Sequence, residues 1–148
     1  AVVALVIGQV VMVLVMTMTP LHMTEHGHDL TAVGLVISGH TFGMFALSPL
    51  SGRLAGRFGT PRVIAAGLAV SAFASALAAV APPDGGTLLF TALFLLGWGW
   101  NLGFVGASSL VVETHRPEER TRVQSFNDFL VFGTNAIASF STHFVPRR

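Results

Sequence analysis

Four stretches of this chain hold no Asp, Glu, Lys or Arg, and each is as long as a helix needs to be to cross a bilayer. They are Ala1–Leu21, Leu30–Gly52, Val63–Pro83 and Gly85–Val112. A fifth, Phe129–Pro146, is shorter and is extended backwards by the helix-favouring "RTRVQSFND". At 1.5 Å of rise per residue, about 20 apolar residues cover about 30 Å of hydrocarbon. Charged residues make up only 10% of the chain, against about 25% in an ordinary soluble domain. Lipid is the solvent that such a composition suits. The expected class is all-α integral membrane, with about five transmembrane helices at 1–21, 30–52, 63–82, 87–112 and 122–145, paired as antiparallel hairpins.

The segments between the runs have turn chemistry. "PPDGG" (Pro82–Gly86) is proline and glycine punctuation, and "RPEER" (Arg116–Arg120) places Pro117 to begin a new helix. Arg53, Arg57 and Arg62 fall between the second and third runs; Arg116, Arg120 and Arg122 fall between the fourth and fifth. The other two connections contain no basic residue, so the positive-inside rule makes the arginine ends cytoplasmic and starts the chain inside. Only Arg147 and Arg148 fall on the outer side. The chain begins "AVVALVIGQVV" without Met or a basic leader, which reads as a piece of a longer protein and not as a secretory signal. All eight basic residues are arginine, they form no tract, and cysteine is absent. Nucleic acid is therefore not an expected partner, and disulfides and thiolate chemistry are excluded.

The outer turn "PLHMTEHGHDL" (Pro20–Leu30) spells H-x-x-E-H at His22, Glu25 and His26, the inverted zinc-protease pattern. Such a site needs a buried helix, a third ligand and a cleft, and a turn of about eight residues offers none of them. The simpler reading is a solvated turn, with Asp29 at the start of the second helix, where an anion is favoured. A proton- or cation-sensing group is the other reading of three histidines that titrate near neutral pH.

The connection after the second run reads "GRLAGRFGTPRV" (Gly52–Val63). It resembles the signature loop of the major facilitator superfamily, G-x-L-a-D-R-x-G-r-r/k, through Gly52, Leu54, Ala55, Arg57, Gly59 and, one place late, Arg62. Gly56 stands where the family has its acidic residue, and Thr60 and Pro61 replace the basic pair. The resemblance implies a twelve-helix fold of two six-helix halves. The lost acid, a fourth span without an intramembrane arginine and a fifth without a Gly-Pro ending point to the second half. The tract Thr19–Gly59 is similar to helices seven and eight of bacterial drug-efflux-like members, so the chain corresponds to roughly helices seven to eleven.

Several residues could carry transport. Gly39 with Gly43, and Gly99 with Gly103, form small-xxx-small pairs suited to helix packing. "GWGWNLG" brushes the dinucleotide fingerprint but lies inside an apolar helix with no strand before it. Gln9, His40, Asn101 and Asn135 fall near the middle of their spans, where polar groups are costly and where transporters bind substrate. His40 alone among them is titratable. Each could equally make a helix–helix hydrogen bond. Trp98 and Asn101, spaced i,i+3, could add an aromatic and a polar contact. Gln124, Asp128 and Asn135 fall within about 40° of one another on a helix, with Ser139 and Thr142 nearby, as a cavity wall would. Asp128 could pair with a signature-loop arginine or carry a proton. Glu113 is the expected partner of Arg57 in an inner-gate latch.

The expected function is a secondary transporter of the cytoplasmic membrane of a bacterium. It would move a small amphipathic solute by alternating access, by proton-coupled efflux, with no cofactor and no metal. Its partners would be the lipid bilayer, the small-molecule substrate and the remaining helices of the same transporter. The alternatives are a membrane-embedded metal-dependent enzyme and a non-transporting scaffold or sensor.

Overall fold

The computed structural model describes residues 2–82 and 86–143. They form six helices and, among the described residues, no strand: α1 (Val2–Glu25), α2 (Leu30–Phe45), α3 (Ser48–Phe58), α4 (Thr60–Ala79), α5 (Gly86–Thr114) and α6 (Pro117–His143). Taken together as one rod, α2 and α3 make a 29-residue span, Leu30–Phe58. With Val6–Glu25, Thr60–Ala79 and Gly86–Thr114, four segments among the described residues are long and apolar enough to cross a membrane. The fifth expected span falls on α6. That helix has 27 residues, but Glu118, Glu119, Arg120, Arg122, Gln124 and Asp128 keep its described part more polar than the other four.

The connections are tighter than the sequence suggested. α1 runs through Pro20 to Glu25, four residues beyond the expected span end, so His22 and Glu25 are helical. It stops at Gly27, whose φ of 78° is left-handed. There His28 N–H bonds Met23 O at 3.0 Å, the six-to-one closure of a glycine-terminated helix. Asp29 then caps α2, its carboxylate accepting from Ala32 N–H at 2.8 Å. The supposed signature loop is mostly helix as well: Gly52 to Phe58 belongs to α3, and the turn before α4 is the single residue Gly59, with φ 88°. Pro117 opens α6, as its place in the sequence implied.

Packing centres on α5, which buries Leu89, Ala92, Leu93, Leu96, Gly97, Gly99, Trp100, Asn101, Leu102, Gly106 and Ala107. Without a hydrophobic force between helices in lipid, close approach depends on small residues, and α5 has two such sides. Toward α4, a Cβ on Gly67 would come within 2.7 Å of both Gly103 N and Gly99 O. Toward α2, a Cβ on Gly43 would meet Phe94 O at 2.5 Å, one on Gly39 would meet the Phe90 ring at 2.5 Å, and one on Gly97 would collide with His40 O. Both glycine pairs read from the sequence therefore lie at helix contacts, on different neighbours. α1 closes the bundle through Met12 and Val13 against Trp100, and Val131 of α6 packs with Ile64 and Ala107.

Candidate functional site

Gln9, His40 and Asn101, all buried in their spans, make three separate arrangements. On α1, Gln9 is 1% exposed, and its Oε1 accepts from Trp100 Nε1–H of α5 at 2.7 Å. The same indole stacks on Phe104 at 4.9 Å and meets Phe45 edge-on at 6.4 Å. Gln9 thus supplies the one partner a buried indole N–H requires.

On α2, His40 is 2% exposed and its Nδ1 lies 2.9 Å from Leu93 O. A carbonyl can only accept, so Nδ1 carries the proton and Nε2 is left with a lone pair. Nε2 is buried and, among the described residues, has no partner. No titratable side chain lies on α1 from Val2 to Leu21, on α4 from Val63 to Ala79, or on α5 from Gly86 to Val112. At its depth in these helices His40 stands alone.

On α5, Asn101 is 2% exposed and makes three hydrogen bonds. Its Nδ2 donates to Met44 O at 2.6 Å and to Ser48 Oγ at 2.7 Å, and its Oδ1 accepts from Ser51 Oγ–H at 2.5 Å. The sequence offered Asn101 as a solute contact or a helix–helix bond; here it is the bond. Trp98, three residues before it, packs with Ala55, Val63 and Leu102, its buried Nε1 unpartnered among the described residues.

The polar stripe on α6 is partly visible. Gln124 Nε2 donates to Asp128 Oδ1 at 2.9 Å, so the carboxylate is held within its own helix and by no signature arginine. Gln124 lines an open cavity of about 300 Å³ with Val111, Val112, Arg120, Thr121 and Ser125. The side chains of Asn135, Ser139 and Thr142 lie outside the described residues.

At the arginine end, the expected Arg57–Glu113 latch is not formed. Glu113 accepts instead from Thr60 Oγ1–H at 3.0 Å, while the Arg57 guanidinium sits 5.4 Å from the Phe58 ring centroid. Arg62 donates to Phe58 O at 3.3 Å, and Arg53 is exposed. Thr60 stands at the first position of α4, beside the C-terminal end of α5, and so reaches the carboxylate that charge alone would have assigned to arginine. Gly52 and Gly56 have open space where a Cβ would go, so only Gly59 of the motif is required by backbone conformation.

The histidines of the α1–α2 turn do not gather into a metal site. His22 and His26 sit with ring centroids 4.2 Å apart, and His26 Nδ1 bonds the His22 carbonyl at 2.8 Å, as neighbours one helical turn apart do. Among the described residues no three His, Asp or Glu side chains are grouped to hold an ion.

Residues 1–145 match the family model described as Major Facilitator Superfamily. The chain is 45% identical over 129 residues, 87% of its length, to a riboflavin transporter, RfnT, of Brucella anthropi. It is 43% identical over 130 and 128 residues to two uncharacterized MFS-type transporters of Bacillus subtilis, YddS and YdeG, covering 87% and 86% of the chain. The matched segment is 32%, 30% and 30% of those three proteins, so the chain spans about a third of the relatives it matches. No solved structure matches it.

Proposed function

The chain belongs to the major facilitator superfamily, and from that premise we propose that it is part of a secondary transporter moving a small amphipathic solute by alternating access. The match over residues 1–145 carries this reading. The finer reading is proton-coupled efflux across the cytoplasmic membrane of a bacterium, with the arginine ends inside. Within it the chain supplies helices seven to eleven, and the rest of the transporter completes the pathway. The likeness of Thr19–Gly59 to efflux members supports the direction. The relative named for riboflavin supports a flat, polar-edged heteroaromatic solute.

His40 supports the coupling. Its Nε2 lone pair is the one free proton-accepting atom on a titratable side chain at that depth of α1, α2, α4 and α5, and Leu93 O holds the tautomer that presents it. Taking up a proton there would place a charge against apolar neighbours, a cost of several kcal/mol. Such a state persists only if solute, water or a rearranged helix stabilises it, which ties protonation to the transport cycle. Gln9 and Asn101 are spent on Trp100 and on the α2–α3 junction and leave the coupling role to His40. Gln124, on the wall of the α6 cavity, and Asp128, bonded to it, stay as candidate pathway groups.

The test uses the full-length protein in liposomes with riboflavin as the first solute and an imposed proton gradient. Gradient-driven accumulation should occur, collapse with a protonophore, and be lost in His40→Gln while solute exchange at equal pH remains. Accumulation indifferent to the protonophore would remove the coupling, and accumulation against the proposed direction would reverse the efflux reading. An enzyme using the outer histidines would instead bind zinc and lose it in His22→Ala.

A further inference from the structure

The backbone ladder of the second span lapses once, and another helix closes the gap. In an unbroken α-helix Ser48 N–H would bond Met44 O, and the residue at position 49 would bond Phe45 O. Pro49 has no N–H to give. The chain turns at Ala46–Leu47 instead, with Ala46 N–H still on Phe42 O at 2.9 Å and the next backbone bond running from Ser51 N–H to Leu47 O at 2.9 Å. Met44 O is taken by Asn101 Nδ2 from α5, which also holds Ser48 and Ser51, the first-turn hydroxyls of α3.

The two sides of this joint are held differently. Above it, α2 is set against α5 by Gly43 and Gly97 at backbone-to-backbone distance and by Gly39 against the Phe90 ring. Below it, α3 meets α5 through the Asn101 cluster and through Ala55 on Leu102, and it ends on the single positive-φ residue Gly59. Its far end carries Arg53 and Arg57, both exposed and, among the described residues, in no ion pair.

We propose that the α2–α3 junction is a hinge and that Asn101 is the positioning residue that latches it. The 11-residue α3 then swings as a unit at the arginine end while α2 stays fixed on α5. Release exchanges three side-chain hydrogen bonds and leaves the helical ladders on both sides intact. What the swing accomplishes rests on the transporter reading: it opens and closes the inner end of the pathway. Asn101 acts through the joint, since both its amide hydrogens are donated and its oxygen accepts from Ser51, all within the α2–α3 junction.

The chain has no cysteine, which suits it to paired labelling. In the full-length protein, with cysteines elsewhere replaced, spin labels at Arg53→Cys and Val112→Cys report α3 against α5. Labels at Leu35→Cys and Leu88→Cys report α2 against α5. Pulsed EPR in lipid nanodiscs should give two distances for the inner pair and one for the outer pair. Asn101→Ala should raise the ratio of long to short inner distances about tenfold, the scale of losing two or three hydrogen bonds. Pro49→Ala restores a donor to the ladder and should collapse the inner pair to one distance. Ser51→Ala removes a single bond and should shift the ratio a few-fold, which keeps the test intact if Asn101→Ala fails to fold. A single inner distance in the wild type that none of the three variants changes would overturn the hinge, as would inner and outer pairs moving together. Two inner distances in a protein with no solute flux would uphold the hinge and remove the transporter reading; flux with one fixed inner distance would do the reverse.

Discussion

The second span meets the central helix in two ways along its length. Along its first part, α2 touches α5 through Gly39, Gly43 and Gly97. Toward the arginine end, α3 and α5 are joined by one amide and two hydroxyls. A steric seam has no second arrangement, because parting it opens a void and adding atoms forces the helices apart. A hydrogen-bonded cluster does have one, since released groups can find new partners, and in membranes such bonds average only about 0.6 kcal/mol. One helix pair can therefore be rigid at one end and releasable at the other.

The largest effect should come from breaking the seam. In Gly97→Leu even the Cβ collides with His40 O, so the helices must separate at a cost of about 3 kcal/mol or more. The full-length protein in detergent should lose its sharp melting transition and its monodisperse elution. Gly34→Ala, on α2 but with nothing within 4 Å of the added carbon, should hold or raise the melting midpoint, because alanine favours the helix by about 1 kcal/mol. Gly97→Leu melting like the wild type would mean that the two ends of the span are held alike.

Asn101→Ala comes next, at about 2 kcal/mol, because it strips a buried carbonyl and two hydroxyls of their shared partner. The melting midpoint should fall less than in Gly97→Leu, and protease access should rise at the arginine end of α3 while α2 stays protected. Equal loss of protection in both segments would make the two contacts a single unit.

Gln9→Leu tests whether a polar bond elsewhere on α5 behaves like the Asn101 cluster. It leaves the Trp100 indole N–H buried without its acceptor, for a loss of about 1 kcal/mol. Because Met12, Val13 and Phe104 still pack around the ring, the emission of Trp100 should shift while the fold survives. A loss as large as that of Gly97→Leu would show that polar bonds, and not glycine contacts, dominate this bundle.

The contrast also marks what could be read from residues alone. The helices were legible because lipid leaves a chain few choices: backbone groups must pair within each segment, so uncharged runs become helices. The glycine pairs were legible for a related reason, since small residues at i and i+4 share a face. The break in the second span was not. Pro49 stands in the sequence, but prolines are tolerated inside membrane helices, and Pro20 does lie within α1. Whether such a proline opens a helix depends on what receives the freed carbonyl, and that is Asn101, 57 residues from Met44 along the chain. Asn101 was singled out for its depth in the membrane; its role depended on partners that no local pattern contains. The glycines of the signature tract misled in the opposite sense, since two of the three lie inside α3 with open space at their Cβ positions.

The smallest effect concerns the acid at the C-terminal end of α5. Charge suggested Arg57 for Glu113, whereas geometry gives it Thr60. Glu113 is solvent-exposed, and a bond there contributes about 0.5 kcal/mol at most, so Thr60→Val should lower the melting midpoint only slightly. The sharper measurement is the charge swap: Arg57→Glu and Glu113→Arg, singly and together, in flux and in stability. If the latch is absent throughout the cycle, the double variant should equal the sum of the singles within about 0.5 kcal/mol. Rescue of flux by the double variant, without rescue of stability, would place the pair in a second conformation. It would do so by moving Arg57, since Glu113 belongs to the continuous α5 and Arg57 to the segment below the junction. Rescue would therefore strengthen the difference between the two ends of the second span, and strict additivity would leave the swing of α3 to be driven by the Asn101 cluster alone.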